Sequence, residues 1–82
     1  SSYYLRLAVE DKVGVMANVA AILSRHGISI EALIQKDAKK TAAQIVIVTN
    51  EVSESNVNAA IAQLVELPEV LSDIGRIRIA AF

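Results

Sequence analysis

The chain has 82 residues, eight basic and nine acidic side chains, one histidine and no cysteine. A chain of this length forms one domain and hides only about 60–65% of its unfolded surface on folding, so its 54% apolar composition has to serve a single core. The length excludes a complete oxidoreductase or kinase. The lack of cysteine excludes disulfides, thiolate metal sites and a cysteine nucleophile, and it fits a reducing compartment.

The apolar and charged residues are too evenly spread for a membrane or nucleic-acid protein. The longest apolar run, Val19 to Leu23, is far shorter than the roughly 20 residues of a membrane helix, and the charges of both signs are interspersed. We therefore expect a soluble, cytoplasmic domain with no membrane and no nucleic-acid partner. Because the chain begins with Ser1 and Ser2, we expect residues 1–82 to be one domain excised from a longer chain, with these two serines as candidates for a foreign remnant.

The first half of the chain predicts a strand, a helix and a second strand. Residues from Tyr3 to Val9 alternate, with Tyr3, Leu5, Leu7 and Val9 on one side, which is the period of a half-buried strand. Apolar residues at helical spacing then predict a helix from about Val13 to His26, ended by Gly27. Alternation returns from Ile28 to Gln35.

The second half repeats the pattern. After a polar turn, the β-branched run Ala43 to Thr49 predicts the return strand of a hairpin. Ser53 is a predicted N-cap of a second amphipathic helix, and Pro68 is expected to end that helical region. Alternation from Arg76 to Ala81 predicts the last strand.

The order βαββαβ predicts an α+β fold of the ferredoxin-like type. Two helices would cover one face of a four-stranded antiparallel sheet with strand order 4-1-3-2, because neither helix is stable alone. Strand two then lies on an edge of the sheet.

The residues offer little chemistry for catalysis. A single histidine excludes metal sites with two or three imidazoles, and a serine, histidine and carboxylate set cannot be argued from His26, which we interpret as structural. Gly14, Gly27 and Gly75 are too far apart for a phosphate-binding loop. We expect no catalysis by this chain alone and no cofactor or metal in it.

The loop Asp11 to Val15 is the candidate ligand site. Free backbone N–H groups at a helix N-terminus attract anions, and Gly14 would let a ligand approach the main chain. Asp11 could hold an ammonium group nearby, so that the two together recognise a free amino acid. The alternative is that Gly14 only permits the turn and Asp11 only caps the helix.

The edge strand is the candidate interface. Between Ile28 and Gln35 we find one glutamate and no other protecting device, so the edge should be covered. A second copy would give a continuous eight-stranded sheet. The expected interface residues are Ile28, Ser29, Ile30, Glu31, Ala32 and Leu33.

The open face of the sheet is the second candidate surface. We expect the apolar side chains of Tyr4, Leu33, Val46 and Val48 there, together with the polar side chains of Arg6, Glu31, Gln44, Arg76 and Arg78. The three arginines could form a basic patch for RNA, but such faces stack bases on several aromatic rings and here only Tyr4 is available. The lysines at 36, 39 and 40 are interpreted as a solvated hairpin turn.

The segment from Val9 to Ala20, followed by His26 to Glu31, resembles the ACT domain, a small amino-acid-sensing module, and the likeness covers essentially the whole chain. More narrowly, Ser29 to Lys36, Val46 to Glu51 and Ile77 to Ile79 resemble the C-terminal regulatory domain of bacterial homoserine dehydrogenase. That enzyme reduces aspartate semialdehyde with NADPH or NADH on the route to threonine, methionine and isoleucine, and threonine commonly inhibits it. The resemblance thus implies NADP or NAD in the parent enzyme.

The resemblance also implies where a ligand would lie. Each amino acid, with threonine as the expected one, would bind at a dimer interface. The residues expected from one subunit are Asp11, Gly14, Val15 and Met16, and those from strand two of the other are Ser29 and Ile30. The family usually has proline where this chain has Val13, many members have histidine where it has Asn50, and Val9 lacks the polar group of serine-binding members.

Three functions follow as hypotheses. The first is a regulatory and dimerising domain that shifts a catalytic domain of the same parent chain when threonine binds. The second is a purely structural dimerisation module that ignores amino acids. The third is a ferredoxin-like nucleic-acid-binding domain that uses Arg6, Arg76 and Arg78.

Overall fold

The computed structural model describes residues 1–39, 42–71 and 73–79. The predicted order of elements is confirmed, with most boundaries shifted by one or two residues. The larger shift is in β2, which continues to Lys39 through residues that were predicted to form the hairpin turn. Lys40 of the predicted turn and Ala80 and Ala81 of the predicted last strand lie outside the described residues. The elements are β1 (Ser2–Glu10), α1 (Val15–Arg25), β2 (Ile30–Lys39), β3 (Ala42–Thr49), α2 (Glu54–Leu64) and β4 (Gly75–Ile79).

The four strands form one antiparallel sheet in the order β2-β3-β1-β4, which confirms the predicted ferredoxin-like fold. Strand β2 lies at one edge and β4 at the other. Since α1 joins β1 to β2 and α2 joins β3 to β4, α1 crosses above β3 and α2 crosses above β1. The apolar sides of both helices share one core with β1 and β3, so both helices cover the same face.

The core is built on β1 and β3. Tyr3, Leu5, Leu7 and Val9 are all buried, as the alternation predicts. Thr49 is the one buried polar side chain among the described residues. Its hydroxyl accepts the N–H of Tyr3 at 2.9 Å and donates to the carbonyl of Asn50 at 2.9 Å, so its burial leaves no unpaired polar atom.

The end of α1 and the start of α2 lie where local sequence signals place them, whereas α2 already ends at Leu64, before the predicted stop at Pro68. Gly27 has φ 71°, and the N–H of Ile28 donates to the Leu23 carbonyl at 3.0 Å while that of Gly27 donates to Ser24 at 3.0 Å. This is a Schellman motif, in which the residue after the glycine packs onto the helix. Ile28 is accordingly buried and precedes β2, so its side chain is not available to the predicted dimer interface and only its main chain could take part. Ser53 caps α2 as predicted, accepting the N–H of Asn56 at 3.3 Å.

Strand β2 departs from simple alternation. Ile30 pairs with Thr49 and Ala32 pairs with Val48, so Glu31 is an extra residue in a β-bulge. A bulge reverses which side chains face which way. Leu33 therefore lies opposite Ile47 on the helix side, and its predicted place on the open face is wrong.

The expectation of an unprotected edge is also wrong, because this bulge and a second irregularity between Lys36 and Lys39 interrupt the strand, and bulges are a known protection of edges.

Strand β4 has the opposite facing from that predicted. Arg76 lies opposite Leu5 and Arg78 opposite Tyr3, and Leu5 and Tyr3 point into the core. Both arginines are thus on the helix side, where Arg76 hydrogen-bonds to Asn58 of α2. The open face receives Ile77 instead, opposite Tyr4. All residues of this short strand are exposed. Pairing with β1 therefore decides which side of the sheet each of its side chains points to.

In the part of the chain that the structure describes, neither helix has the length and apolarity needed to cross a membrane.

Candidate functional site

The candidate loop between β1 and α1 is a tight turn. Gly14 has φ 88° and ψ −12°, and the N–H of Val15 points to the carbonyl of Lys12 at 3.4 Å. A glycine with these angles at the third position is typical of a type II turn. The turn therefore requires glycine at position 14 and sets the direction in which α1 begins.

The first turn of α1 keeps free donors. No side chain caps this end, and the first turn holds no acidic residue. Among the described residues, the N–H groups of Met16 and Ala17 have no hydrogen-bond partner, the first main-chain bond of the helix being from Asn18 to Gly14 at 3.0 Å. Free amides and the helix dipole together attract an anion. Asp11 makes no capping bond, so the alternative interpretation of Asp11 as a cap finds no support.

Of the charged side chains beside the turn, two are paired with each other and one is not. Lys12 Nζ lies 2.7 Å from Glu10 Oε2, and the hydrogen bond that it donates to the Glu10 carboxylate raises the pKa of the Lys12 amine. These two charges neutralise each other. Asp11 is exposed and has no ion pair with any residue that the structure describes, which leaves its carboxylate available to a cation.

The segment after Pro68 lies beside the candidate loop, a position that the sequence did not predict. The stretch after Pro68 returns to the end of β1, where the N–H of Glu10 donates to the Glu69 carbonyl at 2.8 Å and the N–H of Leu71 donates to Ala8 at 2.8 Å. Leu71 then lines a cavity of about 370 Å³ with Glu10, Asp11 and Lys12. No local signal marks this role, since it depends on pairing between distant parts of the chain.

The six predicted ligand residues form two separate groups. Asp11, Gly14, Val15 and Met16 are together at the start of α1, although Val15 is buried and offers only its backbone. Ser29 and Ile30 lie beyond the other end of that helix, at the start of β2. One copy of the chain does not bring the two groups together.

Asn50 holds the second group in place, a role that the sequence did not predict. The N–H of Ser29 donates to Asn50 Oδ1 at 3.0 Å, and the N–H of Asn50 donates to the Ser29 carbonyl at 2.9 Å. These reciprocal bonds occupy the backbone of Ser29, so its exposed hydroxyl is the group left for other contacts.

The histidine is engaged elsewhere. His26 Nε2–H donates to Gln63 Oε1 at 2.8 Å and so ties the end of α1 to α2, which agrees with the structural interpretation of His26. The described part of the chain contains no cluster of three or more histidine, cysteine or carboxylate side chains that could bind a metal ion.

Val13 is the position where a proline should stabilise the chain. It occupies the second position of the type II turn, where proline is common, and its N–H has no partner among the described residues. We expect Val13→Pro to raise the free energy of unfolding by about 0.4–1 kcal/mol, because the unfolded chain loses freedom. Thermal denaturation should show a rise of roughly 2–8 °C. Val13→Ala is the control, and a lower melting temperature for the proline variant would contradict the turn type.

Comparison with known proteins places this geometry in a family. The family model of the ACT domain matches residues 3–69. A homoserine dehydrogenase from Pseudomonas aeruginosa is 43% identical over 81 residues, which is 96% of this chain and 19% of that protein. One from Methylobacillus glycogenes is 42% identical over 80 residues, again covering 19% of the relative. The chain thus spans about a fifth of the length of the curated relatives that it matches.

Solved structures of related proteins have the same fold as this chain. A homoserine dehydrogenase from Thiobacillus denitrificans superposes with a TM-score of 0.86 at 40% identity, over 95% of this chain and 17% of that one. The ACT domain of a GTP pyrophosphokinase from Chlorobium tepidum superposes with a TM-score of 0.75 at 16% identity, over 93% of this chain and 96% of that one, which shows the shared fold. The βαββαβ fold thus has its counterpart in known proteins, and the chain belongs to the ACT domain family.

Proposed function

We propose that the chain is the amino-acid-sensing and dimerising domain of a cytoplasmic homoserine dehydrogenase, and that L-threonine is its ligand. The parent enzyme would use NADP or NAD, and ligand binding here would provide feedback control of threonine, methionine and isoleucine synthesis. The relatives named homoserine dehydrogenase support the parent. The observation that carries the sensing proposal is the set of free amides at the start of α1 beside the unpaired Asp11.

The dimer is proposed to form through the β2 edge and the adjoining side of α1. Asn18, Ala21 and Arg25 line the groove that α1 shares with α2. Met16 and Ala20 lie on the opposite side of the helix, toward β2, and both are partly exposed. Below them Leu33 is 41% exposed on the same side of the sheet. This apolar strip adjoins the stretch of β2 from Ala32 to Lys36, which is regular between the two irregularities of the strand. The outer edge of this stretch has no partner within the described chain, which supports pairing with a second copy there.

Antiparallel pairing of two β2 strands would complete the site. Glu10 and Lys39 both pair with Ala42, so the far end of β2 lies at the same end of the molecule as the candidate loop. In a two-fold pair, Ile30 of the partner subunit would lie opposite that far end. Ser29 of the partner subunit would then approach the Asp11 loop, which unites the two groups that one copy keeps apart.

The proposed ligand contacts follow from charge. The carboxylate of the amino acid would accept the N–H groups of Met16 and Ala17, and its ammonium group would bind the Asp11 carboxylate. The Ser29 hydroxyl of the partner subunit would complete the polar contacts. The ligand would thereby be enclosed by two subunits, so that its binding and dimer formation stabilise each other.

The direct test of sensing is a thermal shift. At about 100 times the dissociation constant, L-threonine should stabilise the folded dimer by about 2.7 kcal/mol, which corresponds to a rise of roughly 10–20 °C. D-threonine should give a much smaller shift, because its ammonium group cannot reach the same carboxylate. If no L-amino acid at millimolar concentration shifts the melting temperature, sensing is excluded and a dimer would remain as a structural module only.

The nucleic-acid alternative has lost its physical basis. Arg76 and Arg78 lie on the helix side of the sheet and Arg6 lies on the open side, so the three do not form one basic patch on the open face.

A further inference from the structure

The open face of the sheet carries an apolar patch that neither the helices nor the β2 edge use. Ala32, Val48, Tyr4 and Ile77 form one row across all four strands, and Ile34 and Val46 lie in the next row. Ile34 is 55% exposed and Ile77 is 62% exposed. We call this set, completed by Ile79 beside Ser2, the open-face patch. Its residues are Tyr4, Ala32, Ile34, Val48, Ile77 and Ile79, whereas Val46, between Ile34 and Arg6, is itself buried.

A cation lies within this patch. Arg6 is exposed between Val46 and Gly75 in the second row, and it forms no ion pair or side-chain hydrogen bond with the residues that the structure describes. Because Gly75 has no side chain, grooves open on both sides of Arg6. One of about 440 Å³ extends toward Gln44 and Asp73, and one of about 330 Å³ extends toward Tyr4 and Ile77.

We propose that the open-face patch docks the catalytic part of the parent chain, which would present an apolar ridge to Tyr4 and Ile77 and a carboxylate to Arg6. This inference rests on the proposed function and assigns the surface through which the sensing domain acts. An unpartnered guanidinium among apolar side chains fits a carboxylate that is shielded from water, where the paired charges attract strongly. A patch of large exposed aliphatic side chains on one face is typical of an interaction site.

The path of the chain favours this occupant. The relatives are about five times longer than this domain, so most of the parent lies outside it. Ser2 of β1 pairs with Ile79 of β4, so both described ends reach the same corner of the open-face patch. Polypeptide continuing from either end would start beside the patch, and a tethered partner binds at high effective concentration.

The charge of the face disfavours a second copy as the occupant. Arg6 and Lys36 both lie on the open side. Of the acidic residues near them, Glu10 is paired with Lys12, and Asp73, which lines the same groove as Arg6, also has an interaction partner. Stacking two copies face to face would bring the cations of both into one interface. A partner of complementary, acidic character avoids this repulsion.

Cysteine labelling of the full-length parent enzyme tests the docking directly. The variants are Ile77→Cys in the patch and Val65→Cys at the end of α2, whose native side chains are 62% and 47% exposed in the domain. We expect maleimide to label position 77 at least about tenfold more slowly than position 65, because a docked surface excludes the reagent. Mass spectrometry of the two peptides gives the rates, and equal labelling in urea shows that both thiols are intact.

Three results would overturn the proposal. Equal labelling in the native enzyme shows an uncovered patch. Protection of position 77 that disappears over a hundredfold dilution shows stacking of copies. If adding Arg6→Gln to the Ile77→Cys enzyme leaves the labelling rate of position 77 unchanged, Arg6 does not hold the docked partner. All three are read without an amino acid, so they are independent of whether threonine binds.

A second measurement separates docking from sensing. In the full-length enzyme, Ile77→Asp should raise the amino-acid concentration that half-inhibits catalysis by about tenfold or more, while the thermal shift given by the amino acid is retained. Val65→Asp should change neither. An Ile77→Asp enzyme that is inhibited normally would contradict a docking role for the patch.

Discussion

Replacing Leu33 by aspartate should convert the proposed dimer into monomers. Leu33 is 41% exposed on the helix side of β2, beside the side of α1 that bears Met16 and Ala20. Across a two-fold axis the strip would bury one carboxylate from each copy without a partner. An uncompensated buried charge costs about 3–5 kcal/mol, which weakens association by roughly two to four orders of magnitude.

The measurement is the solution mass together with the far-ultraviolet circular dichroism. Because Leu33 is already partly exposed in one copy, the variant should halve the mass and keep the spectrum. It should also lose the threonine thermal shift, since Ser29 of the partner subunit is no longer supplied. Leu33→Asp is cleaner than Ile30→Asp, because Ile30 packs against the core and its replacement would also reduce folding stability.

Val65→Asp is the matched control for this prediction. It adds the same charge to an apolar side chain that is 47% exposed at the end of α2, away from both the β2 edge and the open face. It should leave the mass and the thermal shift unchanged. A Leu33→Asp chain that remains dimeric would show that copies associate through another surface, and a monomeric natural chain would exclude the side-by-side dimer altogether.

The sequence predicted those features that depend on short-range signals. The alternation of Tyr3, Leu5, Leu7 and Val9, the glycine at 27 and the serine at 53 each act on neighbouring residues, so a local pattern is sufficient to predict their effect. The order of elements then followed because two amphipathic helices need one sheet to cover.

The errors about which way strand residues face arose where long-range pairing decides. Nothing in the neighbourhood of Glu31 marks it as an extra residue, yet the bulge there reverses Leu33 and Ile34. The facing of Arg76 and Ile77 is set by β1, some 70 residues away in sequence. The same holds for the candidate site, where Asp11 and Gly14 were visible in one loop. Asn50 and Leu71 act on distant segments and were missed.

Gly14→Val should abolish amino-acid binding while leaving the domain folded. At φ 88° a side chain strains the backbone by about 1–2 kcal/mol, and a β-branched one is the least tolerated. The melting temperature should fall by roughly 5–15 °C. A Cβ at this position meets no atom within 4 Å, so the fold itself is not obstructed. The added methyl groups would instead occupy the space in front of the free amides of Met16 and Ala17.

Gly27→Val is the control that separates backbone strain from obstruction of the ligand loop. Gly27 has φ 71°, and a Cβ there would meet only Asn56 Nδ2, at an ordinary 3.9 Å. This variant should lose a similar amount of stability at the other end of α1, yet still gain stability from L-threonine. Binding is measured by calorimetry below each variant's melting temperature, so that unfolding does not contribute. The two variants carry similar backbone strain, and only Gly14→Val obstructs the loop. If both variants bind threonine equally well, the ligand must therefore bind elsewhere.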